Sequence, residues 1–398
     1  MAQDTFNFQD LKAQWKMNPN YENIAYRELD RQKGLDPLNR GYLEAYLHDL
    51  ELRQLRDTTL RHKLWRVFPL LQRLQFKDLK QITRMELEEY IIYRKRNKSP
   101  ITVQGDILEL KLFFRWLVPD RYPDLFQNIR MKRTNRKLPV EYLLVKDDIR
   151  KLVKACDNQR DRALIMLLWD SGARISEVLS RNVGHVEIDK YGAVVIVDGK
   201  TGRRRLRLID GVPDLQLWLQ MHPYRSEPSA PLFLTNTRYG VGRKRLNLRT
   251  VENRLKYLKK KLNIVKPTNP HAIRHGRLTD LAKQGFSEME LRLIAGWEKS
   301  SAMPEVYVHL SGGDIERKML QKAGFVEGDF KEDQSLTPKD CPRCGTRNSW
   351  DGIYCSKCSM VLDSKSALMI DESVAVAKES SEYENILAAL RKDLGISH

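Results

Sequence analysis

Apolar residues recur at helical spacing through most of this chain, and at strand spacing through one short stretch of it. From Asp36 onward, Tyr42, Leu43, Tyr46, Leu47 and Leu50 form one stripe. Leu60, Leu64, Phe68 and Leu71 form a second, in which Pro69 is expected to introduce a bend. Thr83 opens a third helical segment that runs through Tyr90 and Tyr93 into the basic run Arg94-Lys95-Arg96-Asn97-Lys98. Ser99-Pro100 is a helix start, a capping hydroxyl followed by a proline whose missing N–H would be unpaired in the first turn anyway. Ile107, Leu110, Phe114 and Leu117 then line the apolar face. These stripes predict a helical bundle over 36–129. Residues 1–35 show no clear period and are set apart as an N-terminal extension.

The second half changes period. Helices are expected over 146–156 and 161–170, the latter around an apolar run from Ala163 to Trp169 that stops at Gly172. Three runs of β type follow at 185–188, 193–197 and 203–209, separated by the turns Asp189-Lys190-Tyr191-Gly192 and Asp198-Gly199-Lys200-Thr201-Gly202. A helix over 213–221 and a short apolar run, Leu232-Phe233-Leu234, come next. Asn247 caps a further helix with Val251, Leu255, Leu258 and Leu262 on one face. The fold class is therefore mainly α with a small antiparallel β-meander. The expected division is 1–35, a helical domain 36–129, a linker 130–138, a mixed α+β domain 139–326, a linker 327–340, a cysteine module 341–362 and a helical tail 363–398.

Charge adds a partner to this picture. The chain of 398 residues carries a net charge of +18. From Glu327 onward it has nine Lys/Arg against 13 Asp/Glu, leaving 61 against 39 before that point. The basic excess belongs to residues 1–326, which points to an extended polyanion as partner. Arg130, Lys132, Arg133, Arg136 and Lys137 make a cationic link between the two larger domains, and Arg254, Lys256, Lys259 and Lys260 occupy the outer faces of the helix after Asn247. Both groups are candidate phosphate contacts, and for the second a solvated face is an equal reading. The start of the chain is polar and no apolar run is long enough to span a bilayer, so no membrane role is expected.

The candidate chemistry lies in the second half. In Pro270-His271-Ala272-Ile273-Arg274-His275-Gly276, His271 and Arg274 share one helical face. Upstream, Ser171-Gly172-Ala173-Arg174-Ile175-Ser176-Glu177 places Arg174 at a helix start, with Glu177 one turn on to orient it. Lys200 sits at a hairpin tip; Trp297 and Tyr307 follow downstream. A tyrosine oxygen near fixed cations suits attack on a phosphate, because the anionic centre must be neutralised before a nucleophile approaches. Tyr257 competes as a nucleophile, but it precedes His271 on the lysine-rich helix.

The ordered set Arg174, Lys200, His271, Arg274, Trp297 and Tyr307 resembles the active site of the tyrosine recombinase, or phage-integrase, family over residues 38–326. The resemblance implies a helical core-binding domain ahead of a catalytic domain. It also implies site-specific DNA cleavage and rejoining through a 3′-phosphotyrosyl link, without ATP or a catalytic metal, by four subunits on paired sites in duplex DNA. In its terms Arg174 and Arg274 clamp the scissile phosphate, Lys200 protonates the leaving 5′-oxygen, and His271 takes the tyrosine proton or bonds the phosphate. Trp297 donates from its indole, and Tyr307 is the nucleophile. Arg203, Arg204 and Arg205 stand beside Lys200 as other possible donors. Trp297 and Tyr307 are ten residues apart, one more than the family commonly has, which leaves action in cis or in trans open. Two rival functions use the same residues or fold: a type IB topoisomerase-like relaxing enzyme and a non-catalytic DNA-binding regulator.

Five cysteines complete the inventory. Cys156 falls in an apolar helical pattern and reads as core. Cys341, Cys344, Cys355 and Cys358 form two CxxC pairs at zinc-ribbon spacing, suited to a structural, tetrahedral Zn²⁺ and to a reducing, cytoplasmic compartment. So small a module has little core, and the metal is expected to supply most of its folding free energy. An acidic tail with a ribbon after the nucleophile resembles integrases of archaeal plasmids and viruses. Ile386, Leu387, Leu390 and Leu394 give that tail an apolar stripe suited to an accessory protein or a second recombinase copy.

Overall fold

The computed structural model describes residues 24–131, 142–199, 202–237, 240–301, 303–304, 319–320, 323–324, 336–363, 366–370, 372–373 and 385. Two compact units divide the chain at Arg136.

The first unit is helical: α1 (Ile24–Asp30), α2 (Pro37–Leu52), α3 (Asp57–Arg73), α4 (Arg84–Asn97), α5 (Pro100–Leu117) and α6 (Tyr122–Leu125). Its caps are local. The Asp36 carboxylate accepts from the backbone N–H groups of Leu38 and Asn39, Thr83 and Glu86 form a reciprocal capping box, and the Ser99 hydroxyl accepts from the Thr102 N–H. Pro69 lies inside a single helix, α3, rather than ending it. The apolar stripes converge on a core that includes Leu43, Leu47, Leu60, Leu64, Phe113 and Phe114. Buried Asp106 receives Arg66 from α3 at 2.9 Å and Arg94 from α4 at 2.6 Å. A carboxylate removed from water needs such partners, and here they join three helices.

The second unit is built around α8 (Gln159–Ser171), whose residues from Ala163 to Ser171 are all buried. An all-round apolar helix must be covered on every side. It is enclosed by α7 (Lys146–Lys154), α10 (Val212–Met221), α12 (Pro270–Lys283) and the strand β3 (Gly202–Leu208). The approach of α12 is close: a Cβ on Gly276 would meet the Leu144 carbonyl oxygen at 2.4 Å and the Trp169 ring at 3.0 Å. β1 (Val186–Asp189), β2 (Gly192–Gly199) and β3 form the antiparallel meander, in the order β1-β2-β3. Gly199 pairs with Gly202 at the end of the ladder, and Lys200 and Thr201 between them lie outside the described residues. α9 (Ile175–Leu179), α11 (Leu248–Lys261) and α13 (Glu288–Ala295) complete the helices that concern the site. The periodicity did not reveal the hairpin of β4 (Leu234–Thr237) and β5 (Gly240–Arg245), whose glycine-rich, charged second strand has no apolar alternation.

The cysteine module is not a separate bead. Its short strands β6 (Lys339–Asp340) and β7 (Arg347–Asn348) belong to the second unit. Leu336, expected within a linker, is 1% exposed, and both it and Trp350 of the module join the apolar core of this unit. Arg162 on α8 reaches Asp214 on α10 at 3.0 Å and Asp351 of the module at 2.7 Å. Ser349 closes the ring by donating to the Asp214 carboxylate at 3.1 Å. Lys154 lies over the Trp350 ring.

Candidate active site and cysteine cluster

The site begins where α8 ends. Gly172 takes the left-handed conformation at φ 58°, which a side chain would strain, and turns the chain so that Arg174 precedes α9. The backbone N–H of Arg174 donates to the Glu177 carboxylate at 2.9 Å and its guanidinium donates to the same group at 3.0 Å. One carboxylate therefore fixes both the helix start and the side chain.

Arg174 and Arg274 converge on the C-terminal end of α13. The last carbonyls of a helix lack intrahelical donors and carry the negative end of its dipole. Arg274 donates to the Ala295 carbonyl at 2.8 Å and to the Gly172 carbonyl at 2.8 Å. Arg174 donates to the Gly296 carbonyl at 3.1 Å from two nitrogens, and to Ala295 at 3.4 Å. The two guanidinium groups thus share one carbonyl oxygen. Arg274 is buried, whereas the Arg174 side chain is 34% exposed, so the pair opens to the surface on the Arg174 side. Trp297 packs beside the Leu278–Ala295 cluster with the Arg274 guanidinium 5.5 Å from its ring centre.

His271 and His275 stand on successive turns of α12 with their rings edge to face at 4.3 Å. His271 reaches the surface, yet the surrounding protein, then Arg274 and Arg174, lower its pKa and favour the neutral ring. Burial first, then His271 and Arg274, bring His275 down to about 4. A neutral imidazole beside two arginines can accept a proton. Of the six proposed catalytic residues, the structure brings Arg174, His271, Arg274 and Trp297 together. Lys200 and Tyr307 lie outside the described residues.

Three comparisons bear on this arrangement. Residues 143–312 match the Phage integrase family. The chain is 28% identical to a tyrosine recombinase XerC of Chlamydia caviae over 54% of its length and 70% of that protein. It is 24% identical to a tyrosine recombinase XerA of Pyrococcus horikoshii over 73% of its length and 96% of that protein. This chain carries a domain of the phage integrase family, and its relatives are named tyrosine recombinases. It is a site-specific DNA recombinase, an enzyme that breaks and rejoins strands. The fold is shared with a lambda integrase dimer solved on a COC′ core site (TM-score 0.55, 15% identity, 75% of this chain and 85% of that one). It is also shared with the Tn1549 transposon integrase solved with transposon right end DNA (TM-score 0.55, 19% identity, 71% and 99%).

Against the tyrosine recombinase pattern, one residue of this site was passed over in the sequence. Arg204, offered there only as a rival proton donor, grips Glu177 with two parallel hydrogen bonds, at 2.9 and 2.7 Å. Burial alone would raise the Glu177 carboxyl; the hydrogen bonds from Arg204 and Arg174 outweigh it and hold the group below its ordinary value. Its strand position among three arginines carried no signal, because only the register turns Arg204 inward while Arg205 faces Glu187 at the surface.

The proposed phosphate contacts divide as well. Arg254 is paired with Asp157 and, at 3.0 Å, with Asp161, so its charge is spent within the fold. Lys259 donates to the Val265 carbonyl at 3.0 Å. Lys256, Lys260 and Arg130 are exposed, and Lys132, Arg133, Arg136 and Lys137 lie outside the described residues. Cys156 packs against the core of its unit, and burial pushes its thiol up to about 12.

The four remaining cysteines cluster with their sulfurs all within 4.8 Å of one another. Cys341–Cys358 and Cys344–Cys355 are each 3.6 Å apart, far beyond a disulfide bond. Tetrahedral metal–thiolate bonds of about 2.3 Å place sulfurs roughly 3.8 Å apart, so the donor set fits one metal ion. The Lys357 N–H and the Asn348 amide both point at the Cys355 sulfur, as donors to a thiolate do. A cleft of about 890 Å³ opens between this module and α10, and none of the arginine-site residues lines it. A phosphodiester in a duplex is met at an open surface, and the arginine site has that form.

Proposed function

We propose that this recombinase cleaves DNA by attack of Tyr307 on a phosphate held by Arg174 and Arg274. The observation that carries the reading is their convergence on the Ala295 and Gly296 carbonyls, which fixes two planar donor forks side by side. Arg174 Nη2, anchored on the Gly296 carbonyl, has a second N–H to aim at a non-bridging oxygen. The Tyr307 oxygen forms a bond to phosphorus while the bond to the 5′-oxygen breaks. The tyrosine proton passes to His271, whose depressed basicity keeps it neutral and ready to accept, and the 5′-oxygen takes a proton from Lys200. Trp297 packs over Arg274 and holds it in place. The phosphotyrosyl link conserves the bond energy, so the freed 5′-hydroxyl of a partner strand can reverse the step.

Paired sites in duplex DNA and an assembly of four copies complete this reading, with the C-terminal tail as the contact to a neighbouring copy or accessory protein. The cysteine cluster holds a structural Zn²⁺, whose chemistry when bound is to tie four thiolates into one fold. That module after the nucleophile is the feature shared with archaeal plasmid and virus integrases.

Tyr307→Phe tests the chemistry. It should abolish the covalent adduct with labelled duplex on a denaturing gel while duplex affinity stays within about threefold, since many cations carry binding and one hydroxyl carries attack. An adduct that survives moves the nucleophile elsewhere. Supercoil relaxation by the wild type without any strand exchange between two sites would favour a topoisomerase instead.

A further inference from the structure

We infer that Arg204 is a positioning residue for the phosphate clamp, acting on Arg174 through Glu177. The inference rests on the proposed role of Arg174 and adds a residue to it. Three observations carry it.

The first is the sharing of one carboxylate. Glu177 is 3% exposed and is bonded by Arg174 from one side and by both Nη atoms of Arg204 from the other. Arg174 alone, through its backbone N–H and Nη1, would leave a buried carboxylate with half its acceptor sites unfilled. The Arg204 fork fixes the plane of the carboxylate, and a fixed plane dictates where the Arg174 guanidinium lies.

The second is where Arg204 sits. Its guanidinium touches two glycines, each next to a proposed catalytic residue. A Cβ on Gly296, before Trp297, would meet Arg204 Nη1 at 2.4 Å. A Cβ on Gly199, before Lys200, would meet Glu177 Oε1 at 2.6 Å and Arg204 Nη1 at 3.0 Å. The absence of side chains at both places makes the room in which the pair lies. The Gly296 carbonyl is itself an acceptor of Arg174, so Arg204 borders both groups that hold Arg174.

The third is that Arg204 has no other task in view. It is 14% exposed, its only ion pair among the described residues is with Glu177, and its buried Nε has no hydrogen-bond partner there. A residue kept only for surface charge would not be buried with an unpaired donor.

The test separates positioning from folding by the charge of the substrate. Replacing one non-bridging oxygen of the scissile phosphate with methyl removes the charge the clamp must neutralise. Arg204→Gln should slow adduct formation on ordinary DNA by on the order of 30-fold, as misplacement of a clamp by a fraction of an ångström does. Duplex affinity and melting should stay close to wild type. On the methylphosphonate DNA the loss should shrink to about threefold or less, in parallel with Arg174→Lys. Should Arg204→Gln fail to fold, Arg204→Lys, which keeps the charge but not the fork, is compared on the same two substrates. Equal losses on the two substrates, or no loss on either, overturn the inference. If Arg174→Lys recovers on the neutral substrate and the Arg204 variant does not, this inference alone fails. If neither recovers, the clamp reading fails with it.

Discussion

A half-buried histidine beside His271 and Arg274 reports its surroundings through acid. His275 has its folded pKa near 4, while an unfolded histidine titrates near 6.5. Between those values the unfolded chain binds the extra proton, so stability falls as pH drops from about 6.5 toward 4 and is unaffected above that window. His271 shifts in the same direction. His275→Gln should therefore show a smaller fall in melting temperature between pH 7 and pH 5 than the wild type does. An unchanged fall would mean that the charge of His275 is tolerated where it stands. The same locality explains how Glu177 could be read in the sequence and Arg204 could not. Glu177 is three residues from Arg174 on a helix start, a relation that spacing encodes, whereas Arg204 arrives from a strand.

Among the elements, the cysteine module carries the largest surprise. Its side chains fasten α8 to α10 through Arg162, Asp214, Ser349 and Asp351, and burial, though it opposes ionisation of Asp351, is outweighed by Arg162, which holds that carboxyl below its ordinary value. Trp350 and Leu336 are part of the core that α8 organises. Removing the metal proposed for the four cysteines should therefore weaken the whole second unit and not the module alone. Chelation, or Cys341→Ser, should lower the melting temperature of the unit by several degrees, and Trp350→Ala should cost roughly 3 kcal/mol. Differential scanning calorimetry would show one cooperative transition moving as a whole. A module that melts by itself, with the main transition unmoved, would refute the coupling. Deleting residues 331–398 removes Leu336 and Trp350 together and should be worse than either change.

At the scale of the molecule, the basic excess sets how DNA is held. With a net charge of +22 on residues 1–326, duplex affinity should fall steeply with salt, by on the order of 10³ between 50 and 200 mM if six or more phosphates are neutralised. The structure sorts which cations contribute. Replacing exposed Lys256 and Lys260 with alanine should flatten the slope of log affinity against log salt by up to about two. Arg254→Ala should leave the slope alone and lower stability, because Asp157 and Asp161 lose their partner. Fluorescence anisotropy across a salt series distinguishes these outcomes. A slope equally sensitive to Arg254 would place that residue on phosphate after all.

What the sequence determined by itself was everything encoded over short distances. Stripes at helical spacing gave α2 to α5, the apolar run gave α8, the Ser99 and Asn247 caps gave helix starts, and the three runs of β type gave the antiparallel meander. The order of Arg174, His271 and Arg274 also pointed to the family before any contact was known. The tertiary structure alone decided what depends on groups far apart in the chain. The Ala295 and Gly296 carbonyls lie more than a hundred residues from Arg174, and no local pattern announces that a helix end will be closed by two guanidinium groups. Likewise Arg254 and Arg204 look like free cations in the sequence, and only packing shows the carboxylates that claim them. Periodicity reports which face of an element is buried; it holds no record of what that face is buried against.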